Sequence, residues 1–555
     1  MWQSTIEAAD LRQLEEHGIF EAEAERQLAL LASPPPPPEL ARPCTAGDGI
    51  ARLDPERHAG LVARFDEARA AGRAMKLVPA SGAASRMFKT LLPWAAYAGQ
   101  SEALAKEVGR RAVAGDPAAG DPIRFLSELP RLPFYDELAT AFADEGQDLE
   151  DLRRRGEAGA ILHALLAPER LGYDARPKAL IPFHRYGPPE PGSARGPAAG
   201  SGPARGRGAE VRTAFEEHLV EAAGFLAGGD GRVRLHFSVP PEAREAIEDH
   251  LADARERLER RLGVTFEVAF SVQSPATDTL ALDPETGGPF RLEDGRLHLR
   301  PGGHGALIRN LHAVARAGGD LLFVKNIDNV QPDRVKDEVV RWKKLLGGHL
   351  LELRERVAEL LEALAAEGGE AELAPSAPER EAEAFLAEHL GFQAPPAWRK
   401  LPPDERRRRL AERLDRPLRV AGMVVNRGEP GGGPFWVRSE DGSVSAQIVE
   451  RSQIDDQVPG QVRVFNASTH FNPVDLACAV QDFDHQPYDL PRFVDETAVF
   501  IAEKSHEGRP LLALERPGLW NGAMAGWNTA FVEVPETTFS PVKTVFDLLR
   551  KEHQG

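Results

Sequence analysis

Cysteine is almost absent: Cys44 and Cys478 are the only two in 555 residues. Two thiols in so long a chain make neither a disulfide framework nor a zinc site, and the expected setting is a reducing cytoplasm. No run of about 18 apolar residues occurs, so no membrane-spanning helix is expected. Residues Met1 to Gly18 mix Glu, Asp and Gln with apolar residues. They lack a basic start followed by an apolar core, so no secretory leader is expected. Positive charge is in deficit, with 68 Lys and Arg against 86 Asp and Glu and a net charge of -18. That field repels a polyanion, which excludes nucleic acid as the expected partner. A small anionic substrate stays compatible where local Arg and Lys line its site. There is no repeat of 20–50 residues. What remains, 42% hydrophobic and 28% charged residues, is the composition of an ordinary globular protein. The length predicts two to four domains, or one enlarged domain with insertions.

Along the chain, Leu11, Leu14, Ile19, Phe20, Ala24, Leu28 and Leu31 recur at helical spacing. Five prolines, Pro34 to Pro38, follow as a stiff spacer. The pattern predicts a helix over Leu53–Ala74, a short buried strand over Lys76–Ala80 and a mostly helical stretch from about 90 to 170. Gly187 to Gly208 is rich in Gly, Pro, Ala and Arg and reads as a surface loop. Strand-like runs then alternate with helical ones: Arg234–Val239, Pro241–Leu262, Thr265–Val272, Gly305–Ala317 and Asp320–Asn326. Such alternation predicts an α/β layered sheet. A long amphipathic helical stretch runs from Asp333 to about Ala366, more helix follows to about Leu414, and the pattern is strand-rich from Arg419 on.

Four segments carry residue types suited to chemistry. Leu77 to Lys89 is a strand entering a loop of small residues and then a helix with Arg86 and Lys89. Small side chains let backbone N–H groups approach a phosphate. No Gly-Lys-Ser/Thr closes the loop, so it is not a Walker loop, and alone it also fits a tight strand–helix turn. Pro177-Lys178 precedes an apolar run, where a lysine is held at a strand's start or simply solvated. Arg300 to Leu307 sets three glycines around His304, a loop into which a flat ring or a phosphate packs without meeting a Cβ. It also fits a glycine-rich turn with a satisfied histidine. Leu321 to Asn329 is a buried strand with a carboxylate, Asp328, at its C-terminal end. Open α/β sheets place ligands at that end. A single carboxylate there suits Mg²⁺, whose other ligands are substrate phosphates, and also suits an Asp-Asn turn.

Together these segments resemble the nucleotidyltransferases of the UDP-glucose pyrophosphorylase type. The resemblance rests on Gly82-Ala83-Ala84-Ser85-Arg86-Met87, Pro177-Lys178, Phe270-Ser271-Val272-Gln273-Ser274, Pro301-Gly302-Gly303-His304-Gly305 and Asn326-Ile327-Asp328-Asn329, in that order. Downstream, Gln447 to Glu450, Phe465 to Leu476 and Pro541-Val542-Lys543-Thr544 are similar to later segments of the same family. The resemblance spans about residues 76 to 550 in patches. As a whole the chain also resembles a bacterial family described only as a domain of unknown function. There are departures: a single glycine in the first loop, a long insertion between Arg86 and Lys178, and one extra residue in the histidine loop. The stretches around Glu429 and Trp520 have no recognised counterpart. The departures bear on the acceptor more than on the reaction.

The resemblance implies a mixed, mostly parallel central sheet flanked by helices, a Rossmann-like nucleotidyltransferase core. It divides into an N-terminal extension (1–75), a core (76–332) with an insertion at about 90–175, a helical insertion (333–415) and a strand-rich part (416–555). The implied reaction joins a nucleoside triphosphate to a phosphorylated sugar and releases pyrophosphate. The implied roles are as follows. Asp328 holds Mg²⁺ or Mn²⁺. Arg86 and the backbone of Ser81, Gly82, Ala83, Ala84 and Ser85 hold the β- and γ-phosphates. Lys178 and Lys543 approach the reacting phosphates, while Gln273, Gly302, Gly303, His304 and Gly305 frame the base and ribose. Glu429, Asn472 and Asp475 face the acceptor. Trp520 and Trp527 either stack on a ligand or fill the core. Two alternatives share the fold: a GT-A-like glycosyltransferase, and a sugar-nucleotide sensor without catalysis.

Overall fold

The computed structural model describes residues 6–82, 84–187, 210–366, 374–428 and 431–554. Ala83, Glu429 and nearly all of the glycine-rich stretch after Gly187 lie outside the described residues. The chain divides into two compact units, each assembled from three separate segments. The first holds residues 1–77, 271–325 and 342–535; the second holds 78–270, 326–341 and 536–555.

The first unit is built on a mixed, mostly parallel sheet. Its strands lie in the order Thr45–Ala46, Gly49–Ala51, Asn528–Glu533, Leu418–Val425, Asp475–Ala479, Leu321–Lys325 and the strand that begins at Ala74. Asp475–Ala479 runs antiparallel to both of its neighbours, while Leu321–Lys325 is parallel to the strand from Ala74. Leu321 to Lys325 are all buried, as a strand covered on both faces requires. On one face, Leu307, Ile308, Leu311, Val314 and Ala315 of the turn and helix at His304–Arg316 pack on Leu322, Val324, Leu476 and Cys478. Their spacing puts one helical stripe on the sheet. On the other face Phe323 meets the edge of Phe65, with ring centroids 5.5 Å apart.

The helix Asp333–Ala366 begins and ends where its amphipathic pattern does. Two consecutive glycines interrupt its interior, where each costs roughly 1 kcal/mol relative to alanine. Contact explains them. A Cβ at Gly348 would lie 2.0 Å from the Leu61 carbonyl oxygen, and one at Gly347 would lie 2.5 Å from the Phe65 ring. The Leu61 contact is with backbone of the helix His58–Ala70, which cannot step aside. Gly348→Ala is therefore expected to destabilise the first unit by about 1–3 kcal/mol, measured as a lower urea midpoint. A midpoint at or above that of wild type would remove close helix approach as the reason for the glycines.

The second unit has the neighbouring strands Arg232–Ser238 and Thr265–Ser271, linked by the helix Arg244–Leu262. It also has a two-stranded ribbon, Pro182–Tyr186 with Glu210–Thr213. Helices follow one another from Leu92–Ala95 to Ala158–Leu166. The helix Ala214–Leu226 opens with a capping box, in which Thr213 and Glu216 satisfy each other's backbone N–H groups. Nearly all of its residues are buried, which is why it shows no clear polar face.

Candidate active site

In the second unit, four distant segments meet around one carboxylate. The Ile327 N–H donates to the Pro79 carbonyl at 3.3 Å, and the Val542 N–H donates to the Asp328 carbonyl at 3.0 Å. The Lys178 N–H donates to the Gly82 carbonyl and the Ala84 N–H to the Arg176 carbonyl, each at 3.1 Å. These backbone bonds carry three side chains to one point. Lys178 Nζ lies 3.2 Å and Lys543 Nζ 2.9 Å from Asp328 Oδ2, and Lys178 also donates to the Val542 carbonyl at 3.2 Å. Asp328 is 7% exposed and Lys178 8%, whereas the Lys543 side chain is 60% exposed. Burial alone would raise the Asp328 carboxyl, but Lys543 and Lys178 outweigh it and hold the pKa below its ordinary value. The cluster is thus a charged pocket with one wet rim. Asp328 Oδ1 takes no hydrogen bond among the described residues.

The loop beside it differs in detail from expectation. Ser81, Gly82, Ser85 and Arg86 are exposed, and Ala84 is buried. A side chain at Gly82 would meet nothing within 4 Å, so the backbone there is open to approach. The Ala84 N–H is already bound to Arg176, which removes it as a phosphate donor. The helix entered by the loop is a single turn, Ser85–Phe88, too short to build a macrodipole. Arg86 has no ion pair among the described residues. Lys178 opens a short turn, Lys178–Leu180, ahead of the strand Pro182–Tyr186, and is buried instead of solvated.

The remaining candidates lie in the first unit. A Cβ at Gly302 would lie 2.4 Å from the Thr277 carbonyl oxygen, and one at Gly305 2.1 Å from that of Pro517. Gly303 has φ +73°. The chain's own backbone therefore fills the space beside Gly302 and Gly305, and packing accounts for these two glycines without a ligand. His304 stacks on Trp520, with centroids 4.1 Å apart and planes at 18°. The Leu519 N–H donates to its Nδ1 at 3.1 Å. Burial pushes the His304 pKa down to about 4, against the weak pull of Glu515. Trp527 is a core residue, 1% exposed. Gln273 is half-buried, just after the strand Thr265–Ser271. Asn472 accepts from the Val474 N–H at 3.0 Å, and its buried Nδ2 has no partner among the described residues. Asp475 is buried and ion-paired to Lys343, which is itself fully buried.

The sequence pattern of a family described as a domain of unknown function, DUF4301, matches residues 7–194 and 206–554. The chain belongs to the DUF4301 family. No curated protein matches this DUF4301 chain in sequence. Among solved structures it is similar to the uridine diphosphate N-acetylglucosamine pyrophosphorylase of Trypanosoma brucei in complex with an inhibitor. Identity there is 14%, over 98% of this chain and 79% of the other, with a TM-score of 0.46. It is also similar to a mutant UDP-glucose pyrophosphorylase of Leishmania major in complex with UDP-glucose, at 12% identity over 98% and 79% of the two chains, with a TM-score of 0.44. No helix among the described residues of the DUF4301 chain is long and apolar enough to cross a membrane.

Two features of the DUF4301 chain leave little mark in its sequence. Lys343 sits within the long helix like any other lysine of its polar face. Glu217 is fully buried with His184, Tyr186, Arg212 and Lys336 around it. The Glu216-Glu217-His218 run in an otherwise apolar helix is the one available sign of it.

Proposed function

We propose that this chain is a sugar-phosphate nucleotidyltransferase acting in the cytoplasm, and that the Lys178–Asp328–Lys543 cluster is its reaction centre. The observation that carries the reading is the convergence of two ammonium groups on one buried carboxylate, beside the open backbone at Gly82, with Arg86 on the turn that follows and without an ion pair among the described residues. A phosphate oxygen of the acceptor attacks the α-phosphorus of the triphosphate. The new O–P bond forms as the bond from the α-phosphorus to the bridging oxygen breaks, and pyrophosphate leaves. No protein nucleophile is required, so the residues act by position and charge. Lys178, held on the Asp328 and Val542 oxygens, has a fixed place for its charge against the α-phosphate. Lys543, at the exposed rim, exchanges Asp328 for a phosphate oxygen as the ligand enters. Arg86 and the Gly82 backbone take the β- and γ-phosphates.

Magnesium fits this donor set. Both lysines use Asp328 Oδ2, so Oδ1 serves an ion that needs only one or two carboxylates besides water and phosphate. When bound, Mg²⁺ offsets charge on the α-phosphate and on the leaving pyrophosphate.

The test is a panel of nucleoside triphosphates, each with sugar 1-phosphates and Mg²⁺ or Mn²⁺, read by pyrophosphate release. One pair is expected to release pyrophosphate in proportion to the nucleotide sugar formed. Consumption of a nucleotide sugar without pyrophosphate would replace the reading with a glycosyltransferase. Nucleotide binding without turnover would replace it with a sensor.

A further inference from the structure

Lys543 reaches Asp328 on a segment, Glu536–Gln554, that has little regular structure beyond short turns. Several elements of the second unit hold it. Before Lys543, the Ser540 N–H donates to Asn329 Oδ1 at 3.1 Å. At Lys543, its own N–H and that of Thr544 both donate to Asp547 Oδ2, at 2.8 and 2.7 Å. After it, the predicted helical insertion takes part: Arg124 lies over the Phe546 ring at 4.2 Å, and Arg131 donates to the Leu549 carbonyl at 3.1 Å. Arg334 donates to the Lys551 carbonyl.

The last tie is buried and directional. Glu217 Oε1 lies 3.0 Å from His184 Nδ1, and His184 Nε2 lies 3.0 Å from His553 Nδ1. Glu217, fully buried among Lys336, His184 and Arg212, is held ionised against the cost of burial. The Glu217 carboxylate accepts from His184 Nδ1, and the far nitrogen of that ring shares one hydrogen with His553 Nδ1. The two rings stack at 5.3 Å. Burial and His184 push the His553 pKa down to about 3.

We propose that His553 is a positioning residue: through its hydrogen bond to the Glu217-oriented His184, it anchors the 544–554 strap that keeps Lys543 at Asp328. The proposal rests on the nucleotidyltransferase reading for its catalytic consequence, but not for the strap itself. It also gives the helical insertion a role, as the cradle of that strap through Arg124 and Arg131.

The experiment uses the whole chain and compares His553→Ala and His553→Asn with wild type. Hydrogen exchange at the Lys543 and Thr544 amides is expected to quicken roughly tenfold or more in His553→Ala, with strands Arg232–Ser238 and Thr265–Ser271 unchanged. In His553→Asn the side-chain amide, which can donate or accept, restores a partner to His184, and exchange returns toward wild type. With the active substrate pair, kcat/KM is expected to fall about tenfold, in part through a higher KM for the triphosphate, since Lys543 meets a phosphate oxygen as the ligand enters. Unchanged exchange in a folded His553→Ala chain overturns the strap, whatever the activity. Faster exchange in a chain that never releases pyrophosphate upholds the strap and defeats the catalytic reading instead. If His553→Ala does not fold, Arg131→Met, which loosens the same segment from its exposed side, is read in the same way.

Discussion

Asp328→Asn is expected to lower turnover by about a hundredfold or more, because it removes the charge proposed to hold a metal worth several kcal/mol of transition-state stabilisation. Its effect on the fold is also sizeable. Asp328 is buried between Lys178 and Lys543, so it is not the dispensable strand cap that its Asn-Ile-Asp-Asn turn predicts. Neutralising it strands the buried Lys178 ammonium without a counter-charge, and the expected loss of stability is about 3 kcal/mol. Lys543, at the wet rim, adds little to that loss. The two effects separate in a double variant: Lys178→Met with Asp328→Asn is expected to recover stability but no activity. Turnover in the wild type should vanish in EDTA and return with Mg²⁺ or Mn²⁺. Near-normal, metal-dependent turnover in folded Asp328→Asn would move the metal to another carboxylate, with Asp475 the next to examine. Full activity in EDTA would reject the metal.

Acid is expected to unfold the first unit from a pH well above the carboxylate range. The cause is His304, whose pKa burial holds at about 4, well below the ordinary histidine value of about 6.5. Between those values the unfolded chain binds a proton that the folded ring refuses, so stability falls as pH falls. The loss begins below about 6.5 and reaches about 2 kcal/mol at pH 5. Denaturant melts of wild type and His304→Gln at pH 7.5 and pH 5 measure it. The variant is expected to lose less between the two values, because it has no ring to protonate. Equal losses would mean that the His304 ring takes up its proton without leaving the Trp520 stack.

How much of this the sequence discloses depends on range. The strand Leu321–Lys325 and the helix Asp333–Ala366 are readable because their signals are local: an unbroken apolar run, and a long stripe at helical spacing. Asp328 is readable because its place follows from that strand. Its partners are not, since Lys178 is 150 positions away and Lys543 215, and no periodicity links residues so distant. Resemblance supplied those two lysines where pattern could not. The glycines around His304 show the opposite failure. Pattern reads them as room for a ligand, whereas Thr277 and Pro517 backbone fill the space beside Gly302 and Gly305. A sequence records that a side chain is excluded, not what excludes it. The buried Glu217 carries a charge, which pattern assigns to a solvated face; only the packing of Lys336, Arg212 and His184 shows otherwise.

The order in which the two units are interleaved also bears on synthesis. The second unit begins at Val78, yet its third segment starts at Glu536, after the whole of 342–535 has been made for the first unit. On a ribosome, the helices and strands of 78–270 must wait for the piece that brings Lys543 until 342–535 has been made. The first unit, by contrast, gains the strand Asn528–Glu533 just before that piece emerges. Lys178, Asp328 and Lys543 are therefore brought together only after Glu536 has been made, and a chain aborted earlier would expose an unfinished second unit to proteases and chaperones.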